Sequence, residues 1–199
     1  MISQLLALPF VYDLTQVLIR GEGYATRFVK RFVKPKPGDR ILDIGCGTGA
    51  MLPHLIGTDY VGFDMSRRYI DACRRRYGNR GSFHCERLTA TTAKDFGQFN
   101  IVLAVGVVHH LDDADAARLF QLARDSLVKG GKLVTLDGVF QIDQPWGVRW
   151  LLQNDRGKYV RTAEEYLRLA RAEFGKTEEF MVDDLFRIPY SLLVMNCYS

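Results

Sequence analysis

The chain has 199 residues, 47% of them hydrophobic and 25% charged, the balance of an ordinary soluble globular protein with a single core. A formal net charge of +4 is too small to argue for nucleic acid, although it suits an anionic small molecule. Cys46, Cys73, Cys85 and Cys197 have neither paired nor metal-ligand spacing, so reduced thiols and no metal site are expected.

Residues 2–19 are apolar but lack a basic leading region and are broken by Pro9 and Asp13, which predicts neither a secretory signal nor a membrane span. The charge-free stretch over residues 97–111 is too short to cross a bilayer and reads as a buried strand with its flanks. A cytoplasmic protein is the expectation. Residues 8–24 (LPFVYDLTQVLIRGEGY) precede the first strand and can fold over a ligand as a lid. Tyr12 and Gln16, at helical i, i+4 spacing, could then face it together with nearby Tyr24; packing onto the sheet is the other reading.

Residues 41–50, ILDIGCGTGA, carry the densest information. Residues 40–44 read as a buried parallel strand, and Gly45, Cys46, Gly47, Thr48 and Gly49 as the turn that leaves it. Alternate glycines let the backbone take positive φ and let a ligand approach closer than a Cβ would permit, so a nucleotide-containing ligand is expected. The loose dinucleotide pattern G-x-G-x-x-[GA] is also met, with Ala50 in the last place. Asp43 pulls away from that reading. It lies inside the strand, where a dinucleotide-binding strand is apolar, and a carboxylate there suits an ammonium group better than a pyrophosphate. The next strand, residues 60–64 (YVGFD), ends in Asp64, 19 residues after Gly45, a spacing that fits an acid holding ribose hydroxyls.

Together these residues resemble motif I and the ribose-binding acid of the class I S-adenosylmethionine-dependent methyltransferases. Further along, NIVLAVGVVHHLDD (residues 100–113) is similar to the fourth-strand motif of their small-molecule branch, and KGGKLVTLD (129–137) to the start of the fifth strand. The resemblance implies that Gly45, Cys46, Gly47 and Gly49 line the methionine and ribose side of S-adenosylmethionine. It also implies that Asp64 takes the ribose hydroxyls, Met65 packs on adenine and the Val105 backbone faces the methionine moiety. One position departs: Arg87 stands about where relatives carry an acid that accepts the adenine amine. Glu86 as a substitute, or the backbone around Leu88 alone, are both open.

The rest of the chain alternates helix-like and strand-like segments. Ser66 caps a helix reaching Tyr77 with a buried stripe of Ile70, Cys73 and Tyr77, its arginine-rich face being solvated or, alternatively, a phosphate or RNA patch. Strands are expected at 82–85, 101–105 and 132–136, with a helix over 112–127 closed by Gly130 and Gly131. A capping box of Thr162 and Glu165 opens a helix over 162–174. Two strands, 177–186 and 191–198, joined by a tight 187–190 connection containing Pro189, must run antiparallel. The expected architecture is α/β: a doubly wound, Rossmann-like, seven-stranded, mostly parallel sheet with a reversed last strand and helices on both faces. One domain over 1–199 is expected, made of an N-terminal helical lid (1–39), a cofactor-binding half (40–136), and a substrate loop with the terminal hairpin (137–199).

The chemistry expected is methyl transfer to a small molecule, most plausibly at oxygen. An acceptor hydroxyl must lose its proton, which suits a histidine at the carboxyl end of the fourth strand, His110 ahead of His109; bracing of the turn by both is the other reading. No [DNS]-P-P-[YFW] box follows that strand and no RNA-binding appendage is seen, so neither a nucleic-acid nor a membrane partner is expected. Asp137, Trp146, Arg149 and Arg156 are candidate acceptor contacts that suit a sugar-like or anionic molecule, a quinone or lipid-like acceptor coming second. Asp155, Arg156 and Arg161 could instead tie the loop as an ion-pair knot. A silent S-adenosylmethionine-binding regulator and an NAD-dependent oxidoreductase are the competing classes. Oligomeric state is not legible.

Overall fold

The computed structural model describes residues 21, 23–153, 157–188 and 190–199. A helix α1 (Tyr24–Phe28) runs into a π-helical turn, Val29–Val33, and both lie on the sheet through Phe28, Val29, Phe32 and Val33. Then follow β1 (Arg40–Ile44), β2 (Asp59–Phe63), α2 (Arg67–Tyr77), β3 (Ser82–His84), α3 (Ala90–Asp95) and β4 (Phe99–Val105). The second half holds α4 (Asp113–Asp125), β5 (Leu127–Phe140), α5 (Trp146–Gln153), the two-residue β6 (Arg161–Thr162), α6 (Ala163–Arg171), β7 (Lys176–Val182) and β8 (Leu192–Tyr198).

The strands form one mixed sheet in the order β3-β2-β1-β4-β5-β8-β7, with β6 added beside the end of β5. Pairing is parallel from β3 to β5, and β8 is antiparallel to both of its neighbours. The doubly wound sheet with a reversed last strand is thus present, extended by β6. Strand side chains alternate between two apolar layers. Ile101, Leu103, Val134 and Leu136 meet α1, α2 and α5, while Val102, Ala104, Leu133 and Val139 meet α4 and α6. Chain order reverses beside β1, which has β2 on one flank and β4 on the other. Ligands of open α/β sheets bind at the carboxyl ends of the strands flanking such a reversal.

Local chemistry sets most element ends. Ser66 Oγ accepts the Tyr69 N–H, and α2 buries Ile70, Cys73 and Tyr77, the expected stripe. Thr162 and Glu165 form the expected capping box, but α6 ends at Arg171 rather than at 174. Two boundaries differ more. β5 spans Leu127–Phe140, so Gly130 and Gly131 lie inside a strand instead of closing α4. A Cβ on Gly131 would come within 2.9 Å of the Asn100 carbonyl oxygen, so this glycine serves close strand approach. The hairpin connection runs from 183 to 191, longer than the tight turn expected, because β7 stops at Val182. Pro189 lies outside the described residues. Among the described residues no helix is long and apolar enough to cross a membrane.

Candidate functional site

The glycine turn leaves β1 under tight steric control. Gly45 has φ +71°, and a Cβ there would stand 2.7 Å from Val107 Cγ2. Its N–H and that of Cys46 both donate to the Phe63 carbonyl at the end of β2, at 2.8 and 2.9 Å. Gly49, at φ +72°, lies on the Tyr77 ring, where a Cβ would approach to 2.8 Å. The Gly47 carbonyl accepts a hydrogen bond from the Cys73 thiol (3.3 Å), anchoring the turn to α2. That thiol and burial together push the Cys46 thiol far above its ordinary range.

Two carboxylates flank this turn. Asp64 accepts the Gly47 N–H at 2.9 Å and the Ser66 N–H at 2.7 Å, so one side chain holds both the turn after β1 and the cap of α2. Asp43 lies deeper, 2% exposed, and accepts a 2.7 Å bond from the Tyr60 hydroxyl. Burial lifts its carboxyl to about 7, the Tyr60 bond pulls it down, and neighbouring Asp64 pushes it up. The Tyr60 hydroxyl is raised well above its usual value, first by its own burial.

Beyond Asp64 a cavity of about 660 Å³ opens between the exits of β1 to β4 and the flank of α4. Its floor is apolar: Ile44, Phe63, Leu88, Val107, Leu111 and Leu119. Of the predicted cofactor residues it gathers Gly45, Asp64, Met65 and Leu88. Met65 stands at the mouth, 75% exposed. Asp43, Cys46, Gly47, Gly49 and Val105 are not in its wall: the first lies beneath the turn, the next three form it, and Val105 ends β4. Arg87, at the position where an acid was expected, lines the cavity and its Nη2 lies 2.8 Å from Asp115 Oδ1 on α4.

After β4, Gly106 at φ +72° turns the chain into a short 3-10 segment, Val108–His110. His109 is 7% exposed and its Nδ1–H donates to Asp137 Oδ1 at 2.7 Å; its backbone N–H donates to the same oxygen at 3.1 Å. That bond leaves Nε2 as the basic nitrogen. Asp137 is 3% exposed inside β5, which runs on to Phe140, so the carboxylate is turned to His109 instead of ending the strand at the surface. His110 is exposed, its ring centroid 4.2 Å from that of His109.

The turn is held from outside by the segment leading into β6. Tyr159 N–H donates to the His109 carbonyl (3.0 Å), and a Cβ on Gly157 would overlap the His109 ring. Arg161, 6% exposed, donates to the carbonyls of Val108 (3.3 Å), Leu111 (2.7 Å) and Tyr159 (3.0 Å) and pairs with Asp113 Oδ1 at 2.8 Å. The sequence offered Arg161 as one of the loop residues suited to an anionic acceptor or, instead, as part of a knot with Asp155 and Arg156, and those two lie outside the described residues.

Of the candidate acceptor contacts, Tyr24 is 9% exposed and packs edge-on against Phe186 (5.9 Å). Trp146 on α5 is 85% exposed, and the Arg149 guanidinium lies over the Phe140 ring at 5.4 Å. Tyr12, Gln16 and Arg156 lie outside the described residues. Sequence reasoning passed over three connections: Tyr60 with Asp43, Asp137 with His109, and Arg87 with Asp115. The first had a signal, since an acid inside an apolar strand requires a buried donor.

Residues 41–131 match a family model described as a methyltransferase domain. The ubiquinone biosynthesis O-methyltransferase of Cereibacter sphaeroides is 31% identical over 169 residues, covering 76% of this chain and 67% of that protein. The protein of the same name from Brucella melitensis is 29% identical over 170 residues, and the chain spans 64% of its length. Among solved structures, the Haemonchus contortus phosphoethanolamine N-methyltransferase 2 in complex with S-adenosyl-L-methionine superposes with a TM-score of 0.69 at 17% identity, over 90% of this chain and 53% of that one.

Proposed function

The chain belongs to the class I S-adenosylmethionine-dependent methyltransferases, and from that premise we propose that it transfers the cofactor's methyl group to a hydroxyl of a small phenolic, quinone-like acceptor. The observation that carries the cofactor half is the turn itself. Gly45 and Gly49 let it pack against Val107 and Tyr77 at positive φ, Gly47 faces open space with nothing within 4 Å of where a Cβ would stand, and Asp64 holds the Gly47 N–H with a carboxylate suited to ribose hydroxyls. Asp43, at the root of the same turn, is the acid for the ammonium group. When bound, the sulfonium cofactor supplies an electrophilic methyl carbon, and the protein's task is alignment and exclusion of water.

A phenolic acceptor is favoured over a sugar by two considerations. Trp146, the ring expected to stack on a sugar, is 85% exposed on α5 and turned to solvent. The relatives named for ubiquinone biosynthesis point the same way. In this reading His110 takes the acceptor's hydroxyl proton as the oxygen attacks. His109 is a positioning residue: Asp137 fixes its tautomer, and its ring backs that of His110.

The test is release of S-adenosylhomocysteine from S-adenosylmethionine in the presence of dihydroxybenzoates or of simple sugars. Turnover with the phenols is expected, and His110→Ala should lower kcat about a hundredfold while leaving calorimetric binding of S-adenosylhomocysteine unchanged. Turnover with sugars alone would overturn the acceptor class. A His110→Ala variant of full kcat would remove the base.

A further inference from the structure

Arg87 is the residue that least fits its place, because it puts a cation where an acceptor for the adenine amine was expected. The cavity wall resolves the problem. Starting from Asp64, where the ribose is read, the cavity runs toward α4, and its lining there carries three further carboxylates: Glu86, Asp115 and, at the end of α4, Asp125, which pairs with its neighbour Arg124 at 2.9 Å. They differ in how they are held. Glu86 is exposed, and among the described residues no hydrogen bond or ion pair fixes it. Asp115 is fixed from two sides: Arg87 Nη2 reaches its Oδ1 at 2.8 Å and Arg118 Nη1 reaches the same oxygen at 2.9 Å. Its side chain keeps 27% of its surface accessible, and its Oδ2 makes no hydrogen bond within the described residues.

From this we infer that Asp115, oriented by Arg87, accepts the exocyclic amine of the cofactor's adenine, so that the acceptor comes from the first turn of α4 and not from the loop after β3. The inference rests on the cofactor reading above. Both guanidinium groups hold the Asp115 carboxyl below its ordinary range, Arg87 foremost, so it stays a pure acceptor near neutrality. An ionised acceptor welcomes an amine and repels a carbonyl oxygen at the same ring position. Arg87 is therefore a positioning residue: its charge is spent on Asp115 and is not offered to the base.

Calorimetry with S-adenosyl-L-homocysteine and its deaminated analogue S-inosyl-L-homocysteine tests this without turnover. The wild-type protein should prefer the adenosyl ligand by about tenfold or more. Asp115→Asn offers an amide that can turn its NH₂ toward the 6-oxo group, so the preference should fall to about threefold or less, with the adenosyl ligand weakened. Arg87→Gln should erode the preference in part, and Glu86→Gln should leave it intact. An unchanged preference in Asp115→Asn, with thermal melting that shows it folded, would overturn the inference while the cofactor reading stands. Loss of the preference in Glu86→Gln would transfer the role to that residue. If wild-type protein binds neither ligand, the cofactor reading falls and this inference with it.

Discussion

At the scale of single residues, Asp43 is a carboxyl held almost out of reach of water inside β1. Its carboxyl, lifted by burial from 3.8 to about 7, binds a proton more tightly in the folded protein than in the unfolded chain. The stability it contributes is therefore complete below about pH 4 and is lost as pH rises through about 7, the reverse of an acid paired with a cation. A lift of that size corresponds to at most about 4 kcal/mol at alkaline pH. Asp43→Asn keeps an acceptor for the Tyr60 hydroxyl and removes the charge. Urea unfolding should find it more stable than wild type by a few kcal/mol at about pH 8, with the difference closing toward pH ~4. A gap equal at both pH values would mean the carboxylate is not the cause. The same substitution should weaken S-adenosylhomocysteine binding at the higher pH, because a neutral amide cannot counter an ammonium group.

At the scale of elements, the segment Val108–His110 is held by long-range contacts. Arg161 is 53 positions from Val108 in sequence and 50 from Leu111, yet donates to both carbonyls. Arg161→Met should strip these bonds while leaving Asp113, 60% exposed, in water, so no charge is stranded. A loss of about 2–3 kcal/mol is expected, a fall in Tm of roughly 5–10 °C. Hydrogen exchange should locate the damage: the His110 and Leu111 amides, bonded to the Val107 and Val108 carbonyls, should lose protection while β1 keeps it. Uniform loss across the sheet would make Arg161 a packing residue with no special hold on the histidines. The same contrast separates what was legible in the sequence from what was not. The caps at Ser66 and Thr162 and the stripe of α2 were readable because each is settled within one or two turns of chain. The places of Asp43 inside β1, of Gly45 in the turn that leaves it and of Asp64 just after β2 were readable, because an acid within an apolar run and glycines at a strand end have few other positions. The Gly130–Gly131 pair misled, since a helix stop and a close strand contact ask for the same residue. Arg161 with Val108 and Arg87 with Asp115 depend on which elements become neighbours, which no local pattern encodes, and at Asp43 the need for a donor was local but its identity as Tyr60 was not.

At the scale of the molecule, the site is where the sheet's two halves meet. The turn after β1, the cap of α2, the loop after β3 and the flank of α4 all reach the cavity or the carboxylates beside it. A ligand seated there ties together segments from both faces of the sheet, and cooperative unfolding must break all of those contacts at once. Binding to the folded state alone adds about 2.7 kcal/mol when the ligand is present at about 100 times its Kd. For a chain of this size that corresponds to a rise in Tm of about 5–10 °C. S-adenosylhomocysteine should produce this rise in a thermal melt, NAD at the same concentration should not, and Asp64→Ala should abolish it. The rise should also be larger at about pH 8 than at about pH 6, because below about 7 Asp43 must first lose a proton before it can face the ammonium group. A rise independent of pH would separate Asp43 from ligand recognition and leave it a buried partner of Tyr60. A rise with NAD and none with S-adenosylhomocysteine would return the glycine turn to dinucleotide binding, at odds with the acid that stands inside β1.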